Sequence, residues 1–400
     1  MPAMATFTDM MAVTPSIFHK RDNKGWVNEV QKNTYLLNRL LLGKDVKKIV
    51  QGGKTILVNR LIDVGGTFSH YSPNDPSNYA MPQVRTNVEF DWRFSRDYGA
   101  WTDQQVELNV PEGATDDQRF NVYVKEKEAI QGRMWTSMLN GLDSTLFANA
   151  HGAANAAAME DAGGTVPYPI SAFVNENDST WLPDGWTTVG GVAPGTDTLY
   201  RNKVRRYKFL EADDPNGTSS GLLDAFRLMF NDVRWVPPDK AKEYFESSEG
   251  KSKFIATSNK GQALYEKVVQ EARDDFRSAL NVYPGADNPS FKGVDLLYVR
   301  ELDTATLYLT AASTYVAEDD STLLADGTAW AAATDWTRGP RYYWIDGDYL
   351  YPVFKDGHWF KLMPVQTPFG QPESHVQNVH CWWNLICASR QRQGIVSPGA

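Results

Sequence analysis

The most constraining feature of this chain is a two-residue alternation: Val88, Phe90, Trp92 and Phe94 alternate with Glu89, Asp91, Arg93 and Ser95. Side chains along a strand point to opposite faces in turn, so this run predicts a half-buried strand with one aromatic face. Lys54–Ile62 reads as another strand, entered through the turn Gln51-Gly52-Gly53, and Gly65 to Pro82 reads as a polar loop. Val106, Leu108 and Val110 continue the alternation before Pro111. Together Lys54–Pro111 reads as an extended β-hairpin. A ribbon that thin makes no core by itself. Its aromatic face needs cover, from elsewhere on the chain or from another subunit.

Around the ribbon the periods change. Residues 1–25 carry no pattern and read as an arm. Trp26–Leu42 has Val27, Val30, Leu37, Leu40 and Leu41 at helical spacing, with Gly43 as a stop. Thr115-Asp116-Asp117 opens the longest helix expected, running to about Ala150 with Phe120, Val124, Ile130, Met134, Met138, Leu142 and Leu146 along one stripe. Acids in its first turn suit the helix dipole. Residues 151–220 are rich in Ala, Gly and Pro and read as irregular, partly an inserted loop. From Ser220 a compact α/β-like pattern follows. Helices are expected after Ser219 or Ser220 and after Ser258 or Asn259. Strands are expected at Phe254–Ala256, Val294–Val299, Thr306–Leu309, Tyr342–Ile345, Tyr349–Phe354, Trp359–Met363 and Val376–Ala388.

Composition excludes several classes. At 400 residues, 42% hydrophobic and 22% charged, the chain is long enough for a sizeable core and is neither disordered nor fibrous. Two cysteines, Cys381 and Cys387, cannot frame a disulfide scaffold and suit a reducing interior. Met1–Thr14 lacks the pattern of a signal peptide, and no apolar run approaches the roughly 18–20 residues of a membrane span. A soluble protein made in the cytoplasm is expected. The net charge is −9, which disfavours a global nucleic-acid clamp. That charge is split: residues 1–60 hold ten Lys/Arg and four acids, for +6, leaving −15 on the rest. A basic arm on an acidic body fits either nucleic acid or an acidic neighbour. Aromatic residues make up 12% of the chain. They build cores, and they are also enriched where proteins meet.

No catalytic constellation survives inspection. Gly217-Thr218-Ser219-Ser220-Gly221 has the spacing of a nucleophile elbow, but a polar loop precedes it where that motif needs a buried strand. A helix cap is the simpler reading. Gly53-Lys54-Thr55 ends like a phosphate-binding loop, yet it opens a strand and has Lys48 where the first glycine belongs. His375, His380, Cys381 and Cys387 are spaced wrongly for a closed metal site and read as structural. Asp346-Gly347-Asp348 reads as a hairpin turn rather than a calcium loop. No cofactor, no metal and no enzymatic activity are expected. An extended arm and a projecting ribbon instead imply a partner surface, most simply another copy of the chain.

The order of these parts resembles the major capsid proteins of tailed bacteriophages, the Hong Kong 97-type shell fold. Residues 47–56 (Lys-Lys-Ile-Val-Gln-Gly-Gly-Lys-Thr-Ile) are similar to the start of that family's extended loop, and Val88–Arg93 to its returning strand. Leu139–Phe147 is similar to the end of its spine helix, and Lys253–Ser258 to a strand and helix start. The stretch Trp383–Gly394 carries the most specific likeness. The resemblance implies an α+β fold with an N-terminal arm (1–50), an extended loop (51–112), a peripheral domain with spine helix and insertion (113–220) and an axial domain (221–400), some strands of which return to the peripheral domain. Residues 151–200 and the Ala-rich 311–338 look like insertions.

The function implied is structural. Hexamers and pentamers of the chain would close an icosahedral virion shell around double-stranded DNA, after synthesis in the host cytoplasm. Phe90, Trp92, Phe94, Trp101, Lys47 and Lys48 are the expected contacts between subunits. Portal, scaffold or decoration proteins are further partners, and packaged DNA is held non-specifically. No membrane is involved. An encapsulin-type nanocompartment shares the fold and stays open as an alternative. A hydrolase using Ser219 and another virion part such as a portal are the remaining readings.

Overall fold

A computed structural model of the chain describes residues 36, 40, 48–50, 52–61, 85–108, 110, 115–148, 150, 152–160, 164–177, 180–183, 185–207, 221–233, 253–272, 289–304, 308–309, 315–316, 340–371 and 373–398. Of the helix expected over Trp26–Leu42, Leu36 and Leu40 are described, and both are helical and buried. Ser219, the loop at 65–82 and nearly all of 311–338 lie outside the described residues. The chain forms two compact units. The larger spans Tyr35–Arg93, Asp143–Asp356 and Trp383–Ala400, and the smaller is built from Phe94–Leu142 and Gly357–Trp382.

The larger unit is organised by a six-stranded mixed sheet. Its strand order is Lys203–Tyr207, Gly394–Pro398, Tyr342–Asp346, Lys253–Thr257, Val294–Tyr298 and Ser290–Phe291. Tyr342–Asp346 runs antiparallel to both of its neighbours. Lys253–Thr257 lies parallel to Val294–Tyr298 and Lys203–Tyr207 parallel to Gly394–Pro398. Every residue of Lys253–Thr257, Tyr342–Asp346 and Gly394–Pro398 is buried, as in strands covered on both faces. The helix Leu222–Val233 buries Leu222, Ala225, Phe226, Met229 and Val233, a three-and-four spacing that gives it one apolar stripe. Phe226 is the hub, with ring centroids 4.9 Å from Tyr342, 5.3 Å from Trp344 and 5.4 Å from both Tyr265 and Phe291. Ser258 caps the next helix, Asn259–Ala272, its Oγ accepting from the Gly261 N–H at 3.2 Å.

A second sheet in this unit pairs Lys48–Val50 in parallel with Leu350–Lys355, which runs antiparallel to the end of the Ser374–Cys387 strand. The Asp346-Gly347-Asp348 segment therefore differs from the hairpin expected. A tight turn does form, with the Tyr349 N–H donating to the Asp346 carbonyl at 3.2 Å. Its flanking strands part into different sheets. A turn signature fixes the local reversal, but pairing is decided by which distant strands each arm meets. The ribbon is as expected: Thr55–Leu61 pairs antiparallel with Arg85–Asp91, from Thr55↔Asp91 to Leu61↔Arg85.

In the smaller unit, Arg93–Thr102 and the short Lys361–Leu362 strand both pair with Ser374–Cys387. One sheet face carries the long helix. That helix spans Asp116–Leu146, 31 residues, or roughly 46 Å at 1.5 Å per residue. Ile130, Met134, Met138, Leu142 and Leu146 of the expected stripe are buried, whereas Phe120 is exposed. Gly99 permits the close approach, because a side chain there would collide with Ile130 and Met134. Trp101 is sealed among Ile130, Val122, Tyr123 and Val365. The Gln131 amide of the helix donates to Gln377 of the strand at 2.8 Å.

The strand expected over Val106, Leu108 and Val110 is instead a helix, Asp103–Leu108. Three alternating apolar residues are too few to fix a period, and Gln104 and Gln105 before them and Glu107 among them are good helix formers. No helix among the described residues is long and apolar enough to cross a membrane.

Candidate functional site

Several of the groups that could do chemistry are held in structural contacts. Among the described residues no cluster of three His, Cys, Asp or Glu could hold a metal ion. His375 bonds Asp103 through Nε2 at 2.9 Å and lies against Trp101 and Tyr123. Cys381 and Cys387 are buried and not joined in a disulfide, and burial pushes the Cys387 thiol up to about 12, away from a reactive thiolate. Gly53-Lys54-Thr55 enters a strand of the ribbon, as its sequence context implied. Among the described residues the most perturbed carboxyl is Asp346, pushed up to about 7 by burial, against the pull of its cross-strand partner Lys253. It sits at the joint between the two sheets of the larger unit.

The aromatic run behaves differently from its sequence. Val88, Phe90 and Trp92 are buried as expected, but Arg93 is buried too, and Phe94 is 61% exposed. Strand structure is interrupted at Trp92, between Arg85–Asp91 and Arg93–Thr102. Two consecutive buried residues shift the alternation by one, and a one-residue shift turns every later side chain to the other face. Arg93 stabilises the shift. Its guanidinium donates to the Met159 carbonyl at 2.7 Å and also to the Gly164 carbonyl. From there Phe94, Arg96, Tyr98 and Ala100 are exposed, whereas Gly99 and Trp101 are buried.

Three of the expected subunit contacts are thus covered by their own chain. Phe90 packs edge-on against Tyr168 at 5.5 Å and Phe173 at 5.9 Å. Gly190 closes over Val88 and Phe90, its N-neighbouring loop tied down where the Glu89 N–H donates to the Gly190 carbonyl at 3.0 Å. The Gly190 φ of +59° is one that a side chain would strain, and any Cβ there would strike both residues. Trp92 donates its indole N–H to the Gly53 carbonyl at 3.1 Å, and Trp101 lies within the smaller unit's core. Lys47 lies outside the described residues. Lys48 is described as backbone, opposite Val353. Arg60, one of the ten cations near the N-terminus, is held by its own chain: it pairs with Asp197 at 2.9 Å and lies 4.3 Å over the Tyr200 ring. Of the aromatic candidates Phe94 keeps an open surface.

Phe94 is part of a partly open aromatic row in the smaller unit that the sequence did not reveal. Its ring meets Trp382 edge-on at 4.9 Å, and Trp382 stacks on His358 at 4.0 Å. Farther along, Phe360 meets Trp359 at 4.5 Å and stacks on Trp135 at 4.7 Å. These residues come from two strands, a turn and the long helix, so no local period connects them.

Neither the protein-family models nor the curated proteins match this sequence. Solved structures do. The capsid asymmetric unit of cyanophage A-1(L) matches over 96% of this chain and 97% of that one, with a TM-score of 0.56 at 10% identity. The capsid of an empty GTA particle matches over 99% of this chain and 100% of that one, with a TM-score of 0.50 at 10% identity. The chain has the capsid-subunit fold. The α+β Hong Kong 97-type fold implied by the sequence motifs is therefore the fold found. At this identity it is the backbone course, and not the side chains, that the capsid subunits have in common. The residues that join one copy of this chain to the next have to be sought in its own surface.

Proposed function

We propose that this chain is the structural shell protein of a virion, many copies assembling as hexamers and pentamers into an icosahedral capsid around double-stranded DNA. The observation that carries this reading is the end-to-end agreement of fold with capsid subunits, which leaves no sizeable part of either chain unmatched. The chemistry agrees in kind. Large apolar side chains stay open on the smaller unit, Phe369 and Phe120 among them. In this reading residues 1–50 are an arm, 51–112 a loop that reaches a neighbouring subunit, 113–220 the peripheral domain and 221–400 most of the axial domain. The protein is made in the host cytoplasm and works by packing, without catalysis. Portal, scaffold or decoration proteins would join the same shell.

The test is direct. The purified full-length chain is examined by size-exclusion chromatography and negative-stain microscopy. Ring capsomers or closed shells are expected. A stable monomer at micromolar concentration would sink the reading. Particles carrying a packaged enzyme and no nucleic acid would favour a nanocompartment instead.

A further inference from the structure

Among the described residues, the three most exposed large apolar side chains are Phe369 at 108%, Phe120 at 66% and Leu108 at 65%. All three belong to the smaller unit, and its contacts gather them at one end. The Asp103 N–H, opening the Asp103–Leu108 helix, donates to the Glu373 carbonyl at 3.0 Å, and Gln104 reaches the Glu373 carboxylate at 3.3 Å. The His375 ring lies 6.4 Å from Tyr123, less than one helical turn beyond Phe120. Val365, four residues before Phe369, packs against the same Trp101 cluster as Tyr123. Phe369 is held at the tip of a formed turn: the Gln371 N–H donates to the Pro368 carbonyl at 3.1 Å, Gly370 has φ +82°, and Gln366 and Val376 bridge behind it. Large apolar groups displayed on ordered backbone mark a surface built to be covered.

The charge around them selects the cover. The described residues of the short helix, the first turn of the long helix and the Met363–Glu373 turn include five acids, Asp103, Glu107, Asp116, Asp117 and Glu373, and one cation, Arg119. An end of this sign repels phosphate, which argues against nucleic acid as the occupant. The complementary stretch is in the chain's own sequence. Residues 17–35, ahead of the buried Leu36, carry four Lys/Arg against two acids, interleaved with Ile17, Phe18, Trp26, Val27 and Val30. They match the end in both charge and apolar character.

We propose that this acidic, apolar-studded end of the smaller unit is the docking site for the basic N-terminal arm of a second copy of the chain. The inference rests on the shell reading and names which surface joins neighbours. Phe120, Leu108 and Phe369 supply the apolar contact, and the five acids set the register and discriminate against other partners.

Full-length protein, half of it labelled with nitrogen-15, is mixed, assembled and treated with a carbodiimide, which joins a lysine amine to a carboxylate as an amide. Peptides linking Lys20, Lys24 or Lys32 to Glu107, Asp116, Asp117 or Glu373 are expected, with mixed isotope composition. Links found within single copies only, or shells that lack these links, would overturn the inference while leaving the shell reading intact. A chain that forms no oligomer at all overturns both. As an independent arm, Phe369→Ser is expected to lower shell yield at least tenfold without moving the thermal midpoint of the subunit. The pair Glu107→Lys and Asp117→Lys should do the same, and combining it with Lys20→Glu and Lys24→Glu should restore assembly. Normal shells from Phe369→Ser, or no restoration by the charge swap, count against it.

Discussion

Two successive strands, Arg85–Asp91 and Arg93–Thr102, treat their aromatic residues in opposite ways. Phe90 is enclosed by Tyr168, Phe173 and Gly190, but Phe94, four residues later, is mostly open. Nothing in the hydrophobicity of the two rings distinguishes them. The difference is whether the same chain supplies a covering surface. Where it does, the ring stabilises the subunit. Where it does not, the ring is available to a neighbour. Aromatic content alone is therefore a poor guide to an interface, and phase along the strand is a better one.

Phe90→Ala is expected to have the largest effect, destabilising the subunit by about 3–5 kcal/mol in denaturant unfolding, with assembly lost as a consequence. A cost well below that range would break the comparison, because it would mean the ring is not part of the core. Arg93→Met comes next. It leaves the carbonyls of Met159 and Gly164 without their charged donor, for a cost of about 2 kcal/mol. If it also resets the alternation, labelling of Phe94→Cys in that background should slow relative to the same probe in the wild-type background.

Asp346 extends the contrast to a polar group sealed in the core. Its carboxyl is raised from its ordinary 3.8 to about 7, by burial first, with Lys253 pulling the other way. A raised carboxyl favours the fold below its unfolded pKa and loses that contribution as pH rises through the folded one. The wild-type thermal midpoint should therefore fall between pH 5 and 8 by several degrees more than that of Asp346→Asn. Parallel pH profiles would remove Asp346 as the cause. The smallest effect on stability is expected from Phe94→Ser, within about 0.5 kcal/mol, together with a clear loss of shell yield. A destabilised monomer would place Phe94 with Phe90 and erase the distinction.

Much of the architecture was legible beforehand. The ribbon strands, the long helix, the helices after Gly221 and Ser258 and the strands at 253–257, 294–298 and 342–346 follow from local period and from caps such as Ser258. The site was less legible. Phe90, Trp92 and Trp101 carried the right residue types for a contact but lie within the subunit. Phe369 sits in a loop with no period to flag it, and the Phe94, Trp382 and His358 row joins segments more than 250 residues apart.

The sequence by itself determined the ribbon strands, the long helix and the strands at 253–257, 294–298 and 342–346, because side-chain period, turn residues and caps act within a few residues of one another. It also determined the opposition of a basic N-terminal region and an acidic remainder. The tertiary structure alone decided the one-residue shift at Trp92, which depends on Arg93 finding carbonyls more than sixty residues away. It alone sent Tyr342–Asp346 and Leu350–Lys355 into different sheets, since pairing is a choice among distant strands. Which aromatic residues remain uncovered was decided in the same way, because cover is supplied by chain that no local pattern can see.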